Sequence, residues 1–295
     1  MYDVIILGGG PAGISASLYC RRANKNVKII YNDESGLIKA HKIDNYYGFE
    51  NGISGKELYK TGLKQAENLG VEIAKEEVLK IEMDNGFFKV CTDKNNYESK
   101  TIIIAIGAKK NTLNVQGVQE LEGKGISYCA ICDGFFYKNK DVAVVGSGNY
   151  AISETNDLIN IARKITILTN GEKAPEFRAD NVEIVTKNIK EISGNNKVEE
   201  VRFDDDSTIK TDGVFIAQGT AGATELAKKL GLLLNNNKIA VNENMETNIK
   251  GIYACGDCTG GLLQVSKAVY EGAKAGLAVI DFLKGKEDEK WKLLN

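Results

Sequence analysis

The sequence predicts an α/β fold built twice, with one unit inserted into the other. Two sets of residues predict the doubling and a third predicts the insertion. A glycine signature, Gly8-Gly9-Gly10-Pro11-Ala12-Gly13, returns about one domain length later as Gly146-Ser147-Gly148-Asn149-Tyr150-Ala151. Each copy follows a short apolar run, opens a helix-like segment and is followed by a second apolar run. That is the strand, turn, helix, strand order of a parallel βαβ unit. Near the end, Ile252-Tyr253-Ala254-Cys255-Gly256-Asp257 reads as an apolar strand closing on Gly-Asp, with a long helical stretch, residues 264–283, behind it. If this pair rejoins the first unit, the chain leaves that unit near Thr112 and returns between residues 241 and 247. The expected architecture is two Rossmann-like, three-layer ββα dinucleotide-binding domains: an outer one of residues 1–112 and 242–295, and an inner one of residues 113–241.

Taken in order, residues 4–7 form the first strand, 14–23 its helix and 27–31 the second strand. Residues 55–69 carry Leu58, Leu63, Ala66 and Leu69 at helical spacing and read as a packed surface helix. Residues 78–84, 87–92 and 97–100 alternate like strands. They are joined through Asp84-Asn85-Gly86 and Lys94-Asn95-Asn96, as in a small antiparallel meander. Residues 101–106 then read as a buried strand ending at Gly107. The inner unit repeats the scheme with strands at 142–145 and 165–168, a helix at 152–162, strands within 188–203, a turn at 204–207 and a strand at 214–217.

Composition excludes several functions. The 295 residues suit two domains, and 43% hydrophobic residues suffice for ordinary cores. Lys and Arg total 38 against 40 Asp and Glu, a net charge of −2, so no basic field exists to draw nucleic acid. With one histidine, His41, a metal site would need the cysteines or carboxylates, and no zinc spacing appears. Met1-Tyr2-Asp3 runs directly into an apolar strand, so no signal peptide is expected. No uninterrupted apolar stretch of 18 or more residues is present to span a membrane, and the chain reads as cytosolic. In a reducing cytosol six cysteines do not form a disulfide framework, which turns attention to any close pair.

In each glycine turn the first glycine permits the tight turn, the second lets backbone approach a pyrophosphate and the third allows close helix-strand packing. The helix N-terminus then holds the anion. Two such turns suggest two dinucleotide-sized sites. The densest chemical signal is Tyr128-Cys129-Ala130-Ile131-Cys132-Asp133-Gly134, just before the second turn. Cysteines at this spacing can close an easily reduced disulfide. Disulfide exchange needs a thiolate to attack and a protonated thiol to leave, and Asp133 is placed to relay the proton. Two other readings stay open: half of a zinc site completed by Cys255 and Cys258, or an inert pair.

Gly8 to Gly13, Asp44-Asn45-Tyr46-Tyr47-Gly48-Phe49, Ala105-Ile106-Gly107, Cys129 to Gly134, the inserted second glycine unit and Gly256-Asp257 occur in this order. In that order and over residues 1–285 the chain resembles the low-molecular-weight thioredoxin reductases. The resemblance implies a discontinuous FAD domain enclosing a domain that carries the redox disulfide. It implies that Cys132 faces the flavin, Cys129 attacks the substrate disulfide and Asp133 is the acid/base. Gly8, Gly10, Pro11, Ala12 and Gly13 would form the FAD pyrophosphate cradle, and Asn45 would lie beside the flavin. Gly107, Gly256, Asp257, Gln264 and Val265 would complete the cofactor site, with Asp257 at the ribityl-phosphate region. The implied partner is thioredoxin or a thioredoxin-like protein, and a homodimer is expected.

The departures concern the electron donor. Where NADPH-using members carry a His-Arg-Arg cluster, this chain has Thr169-Asn170-Gly171-Glu172. Arg178 resembles the family's later arginine but is displaced. No cation stands where the 2′-phosphate would sit, and Glu172 would repel it. Glu34-Ser35-Gly36-Leu37 replaces Gly-Gly-Gln-Leu, and Leu263-Gln264 replaces Arg-Gln. Such losses accompany members that take electrons from ferredoxin, so reduced ferredoxin is the preferred donor. NADH is second, since Glu172 could bond a ribose 2′-OH. The alternatives carried beside this reading are a flavin reductase of ferredoxin-NADP type, which does not need Cys129 and Cys132, and a non-catalytic redox-sensing flavin module.

Of the remaining residues, Cys255 reads as a small buried hydrophobe and Cys258 as a helix-start residue near the FAD. Cys20 and Cys91 read as core, and His41 as a surface or flavin-edge residue. The charged tail from Lys284 reads as a solvated extension. The sharper alternative packs Trp291 on the flavin or on a dimer partner.

Overall fold

The chain divides into two units, Met1–Lys109 with Leu230–Asn295, and Lys110–Lys229. A computed structural model describes residues 1–32, 35–84, 86–108, 113–219 and 222–294, with side chains described as far as residue 285. Glu34, Asn85, Thr112 and the Trp291 side chain, all invoked above, lie outside the described residues.

The first unit opens with β1 (Tyr2–Leu7), whose Val4 to Leu7 are wholly buried, as in a parallel strand covered on both faces. The glycine turn leads into α1 (Pro11–Arg22), with Pro11 at a first-turn position where its missing N–H costs nothing and Arg21 and Arg22 at the C-terminal end of the dipole. There follow β2 (Val27–Tyr31) and α2 (Gly55–Asn68), the latter capped by Ser54 Oγ, which accepts from Glu57 N at 3.1 Å. Then come β3 (Glu72–Lys75), β4 (Val78–Asp84), β5 (Phe87–Thr92) and β6 (Asn96–Ile104). Their order in the sheet is β3-β2-β1-β6-β5-β4. The segments expected as two strands, 97–100 and 101–106, are the single strand β6. Its first half pairs antiparallel with β5, and residues 101–104 pair parallel with β1. No turn residue interrupts the alternation at Lys100-Thr101, so the meander is an extension of the parallel sheet.

The second unit contains β7 (Ile126–Ser127), α3 (Ala130–Asp133), β8 (Asp141–Val145), α4 (Asn149–Leu158), β9 (Lys164–Leu168) and β10 (Val182–Val185). It continues with β11 (Ile189–Ser193), β12 (Glu200–Phe203), β13 (Thr208–Lys210), β14 (Gly213–Ile216) and α5 (Ala223–Lys229). A five-stranded parallel sheet has the order β10-β9-β8-β14-β7, and β11-β12-β13 form a separate antiparallel sheet. Here the meander does stand apart. Thr211 and Asp212 break the chain between β13 and β14, with Thr211 Oγ1 donating to Gly213 O at 2.8 Å and Asp212 N to Asp141 O at 2.7 Å.

The chain re-enters the first unit through a hairpin, β15 (Leu234–Asn235) and β16 (Lys238–Ile239). Its two-residue loop, Asn236-Asn237, is left-handed at both positions (φ 49° and 58°), the geometry of a type I′ turn. Asn248 ties the approach to this hairpin to the first unit, accepting from Leu233 N at 2.8 Å and donating to Gly231 O at 3.0 Å. Lys238 Nζ reaches Asp257 O at 3.3 Å. The return crossing therefore falls at Lys229/Leu230, where the sequence had suggested 241/242. β17 (Ile252–Ala254) then adds parallel to β6, and α6 (Val265–Leu294) runs on as helix past residue 283, the end expected from the sequence, into the stretch read as a solvated extension.

α6 packs on α1 at short range because Gly272 and Gly276 face it. A Cβ at Gly272 would lie 2.2 Å from Ala12 O, and one at Gly276 2.9 Å from Ala16 O. Ser15 Oγ donates across the seam to Val269 O at 2.7 Å. Gly272→Val is expected to cost about 1–3 kcal/mol by overpacking. Urea unfolding checks this, and an unshifted midpoint would show that the seam can open freely.

Candidate active site

Within the first unit, β1 delivers the chain to Gly8, whose φ of 112° and closeness to Ala105 O (2.3 Å from where a Cβ would stand) leave room for no side chain. Gly13 is equally restricted, 2.0 Å from Gly8 O on the same measure, which lets the start of α1 close onto the end of β1. Gly10 is the N-cap, and Pro11, Ala12 and Gly13 form the first turn, which carries no acidic side chain. Backbone N–H groups in the first turn of a helix have no helical acceptor and are free to bind an anion. Gly107 lies just beyond β6 with open space around it.

The C-terminal elements of the same unit add a second cluster. Gly256 lies against Ala12, 2.8 Å from Ala12 Cβ on the Cβ measure, so the Gly-Asp turn abuts the glycine cradle. Asp257 is half-buried. Asn45 Nδ2 donates to Gln264 Oε1 at 3.0 Å, joining two residues assigned to the cofactor site from distant parts of the sequence. Val265 is the first residue of α6. Sequence reasoning missed the ion pair that holds the turn. Glu271 Oε2 accepts from Gly256 N (2.8 Å) and Thr259 Oγ1 (2.9 Å), and Lys267 Nζ bonds Glu271 (3.0 Å) and Gly256 O (2.9 Å). The i, i+4 spacing of Lys267 and Glu271 was the available signal.

In the second unit Cys129 and Cys132 are joined by a disulfide, with Cα atoms 5.3 Å apart. Cys129 is the N-cap of α3, and its Sγ accepts from Cys132 N at 3.2 Å. Cys129 is 1% exposed, whereas Cys132 lies on the surface. Asp133 Oδ2 accepts from Ser127 Oγ at 2.6 Å, so the proposed acid/base is oriented at the end of the same short helix. Around it Ile131 (47%), Phe135 (76%) and Phe136 (68%) are exposed, an apolar collar beside the disulfide. The sequence reading did not single out Phe135 and Phe136, whose exposure only the folded chain reveals.

The second glycine turn reproduces the first. A Cβ at Gly146 would stand 2.4 Å from Ala217 O, as Gly8 does from Ala105 O, and Gly148 caps α4 with the extended backbone that Gly10 has before α1. Ser147 Oγ donates to Glu172 Oε2, bringing the acid that follows β9 back against the turn. The second Cys-x-x-Cys is different in kind. Cys255 and Cys258 are buried free thiols, and Cys258 Sγ donates to Ile104 O at 3.4 Å. Burial pushes the Cys258 thiol up to about 12 and Cys255 well above its usual range, so neither is a nucleophile at neutral pH. Cys20 is core and Cys91 is half-buried, while His41 is exposed. Among the described residues no group of three or more His, Cys, Asp or Glu side chains could hold a metal, and no helix is long and apolar enough to cross a membrane.

Residues 2–272 match the family model described as pyridine nucleotide-disulphide oxidoreductase. The chain belongs to this family. It is 36% identical over 298 residues to a thioredoxin reductase of Bacillus subtilis, covering 95% of this chain and 94% of the relative. Among solved structures it resembles the atypical thioredoxin reductase TRi from Desulfovibrio vulgaris Hildenborough, with a TM-score of 0.89 and 33% identity over 97% of this chain and 99% of that one. It also resembles a ferredoxin-flavin thioredoxin reductase from Clostridium acetobutylicum, with a TM-score of 0.71 and 35% identity over 96% and 98% of the two chains. The chain is thus a flavoprotein oxidoreductase of the thioredoxin reductase type, and its cofactor is FAD. The first turn fits that cofactor: side chains are excluded at Gly8 and Gly13, and the following helix end is free of acidic groups.

Proposed function

We propose that the enzyme reduces the disulfide of thioredoxin or a thioredoxin-like protein through Cys129 and Cys132, with reduced ferredoxin as electron donor. The observation that carries this reading is the Cys129–Cys132 disulfide with Asp133 hydrogen-bonded at the end of the same helix and an exposed apolar collar around it. Bound FAD supplies the junction between a donor and a disulfide that needs two electrons. Uptake of two electrons and two protons by the disulfide frees both thiols. The Cys129 thiolate then attacks the partner disulfide, displacing one partner sulfur. Cys132 next attacks Cys129 Sγ, re-forms the internal bond and releases the second partner thiol. Asp133 takes the proton of the attacking thiol and returns it to the leaving thiolate. Cys129, 1% exposed, must become accessible for its step. The collar of Ile131, Phe135 and Phe136 suits a protein partner with an apolar rim around its own disulfide.

For the donor, support comes from the ferredoxin-flavin thioredoxin reductase neighbour, from Thr169-Asn170-Gly171-Glu172 in place of a cationic cluster, and from Leu263 in place of an arginine. One observation favours NADH as a second reading: Glu172 lies against Ser147 of an intact glycine turn, where a ribose hydroxyl would find it.

Dithionite titration of the purified holoenzyme tests the core of the proposal. About four electrons per chain are expected, two for the flavin and two for the disulfide, and uptake of about two would exclude the disulfide from the reaction. Asp133→Asn is expected to slow thioredoxin reduction by roughly 10²-fold, the scale of a positioned acid/base. An unchanged rate would reassign Asp133 to holding Ser127.

A further inference from the structure

We propose that Glu154 is a positioning residue for the redox pair, held in place by Lys229 and fixing the N-terminus of α3 through the Ala130 amide. The inference rests on the reading of Cys129 and Cys132 as the redox couple. α3 has four residues, too few to be stable by itself, so something else must hold the segment while its disulfide opens and closes. Hydrogen bonds grip the backbone on both sides of Cys129. Tyr150 OH donates to Tyr128 O at 3.1 Å, Cys129 N donates to Ser127 Oγ at 3.1 Å, and Ala130 N donates to Glu154 Oε2 at 2.6 Å. Tyr150 and Glu154 stand one turn apart on α4, the helix that the second glycine turn opens.

Glu154 is 1% exposed and its other oxygen, Oε1, accepts from Lys229 Nζ. Burial pushes the Glu154 carboxyl up, and the Lys229 ammonium opposes this. Lys229 is itself buried, with Nζ 4.9 Å from the centroid of the Tyr150 ring, so a single cation touches both side chains that grip the segment. It is also the last residue of the second unit before the chain crosses back. A buried ion pair adds little net stability over apolar side chains of the same volume, whereas breaking one partner away is costly. What Glu154 and Lys229 supply that an apolar pair would not is direction: one carboxylate oxygen aimed at a peptide N–H, the other locked by a cation.

Three variants of the holoenzyme test this. Glu154→Leu with Lys229→Met keeps the volume and removes the hydrogen bond. Glu154→Gln with Lys229→Met keeps an oxygen for the Ala130 amide and removes both charges. Glu154→Gln alone keeps the oxygen and strands the cation. The readouts are the equilibrium constant of the Cys129/Cys132 couple against a glutathione buffer and the split between kcat and KM for thioredoxin. The Leu/Met pair is expected to shift the constant tenfold or more, about 30 mV for this two-electron couple, and to lower kcat at least tenfold. The Gln/Met pair should stay within threefold of the parent enzyme. A Leu/Met enzyme within twofold on both readouts would overturn the inference. Should Leu/Met fail to retain flavin, Glu154→Gln decides. A shift of more than threefold that Lys229→Met reverses supports the inference, and no shift or no reversal sinks it. Uptake of only two electrons by the parent enzyme would remove the reading and this inference together. Uptake of four electrons with unaffected variants would remove this inference alone.

Discussion

Cys129→Ser is expected to give a yellow protein that binds FAD and cannot reduce thioredoxin. The substitution is mild for the fold. A serine serves well as an N-cap, and its Oγ can accept from Cys132 N as Cys129 Sγ does at 3.2 Å. The glycine turn at Gly8 to Gly13, whose geometry fits FAD, belongs to the other unit. What is lost is the bond itself: a hydroxyl neither closes a disulfide with Cys132 nor attacks one in a partner at neutral pH. The expected fall in thioredoxin reduction is roughly 10³-fold or more, the scale seen when a nucleophile is removed. Electron uptake should drop from about four per chain to about two. Full turnover in this variant would show that electrons leave the flavin by a route that bypasses the pair.

The second large effect concerns the donor. NADPH is expected to reduce the flavin at least roughly 10²-fold more slowly than reduced ferredoxin does, because the charge-assisted contacts that select a 2′-phosphate are missing. The segment after β9 offers Thr169, Asn170, Gly171 and Glu172, and the Glu172 carboxylate reaches Ser147 in the glycine turn. A dianionic phosphate there would meet a carboxylate, and residues 169–172 offer it no cation. A reduced ferredoxin, as a one-electron carrier, would need no such pocket, and two successive one-electron transfers would supply the pair of electrons that the flavin takes up. Stopped-flow mixing of the oxidised enzyme with NADPH, NADH and reduced ferredoxin in parallel gives the answer. Rapid bleaching by micromolar NADPH would contradict the charge argument, and bleaching by NADH alone would favour Glu172 as a ribose ligand.

Both expectations draw on features of very different legibility. The two glycine turns and the Cys-x-x-Cys were readable because their chemistry is local. Gly8 and Gly146 each follow an apolar strand and precede a helix, and the same short-range sterics act at both, so Ala105 O and Ala217 O approach them alike. Strand and helix positions followed for the same reason, since alternation and 3.6-residue periodicity are set by neighbouring residues. The sequence by itself thus determined a doubled α/β chain, a dinucleotide-sized cradle at residues 8–13 and a close Cys129/Cys132 pair, and the structure joins that pair as a disulfide. Contacts between residues distant in the chain had no such signature. Only the folded chain decided that residues 96–104 form one strand serving two pairing directions, that Asn248 draws Leu233 and Gly231 into the first unit, and that Gly272 and Gly276 seat α6 on α1. Only the fold brought Glu154 and Lys229 together at the Ala130 amide, next to Cys129 in the chain. The physical reason is the same in each case. Burial and hydrogen-bond satisfaction are properties of the packed neighbourhood, so a glutamate within a helical segment reads as a solvated side chain until the fold surrounds it and supplies its cation.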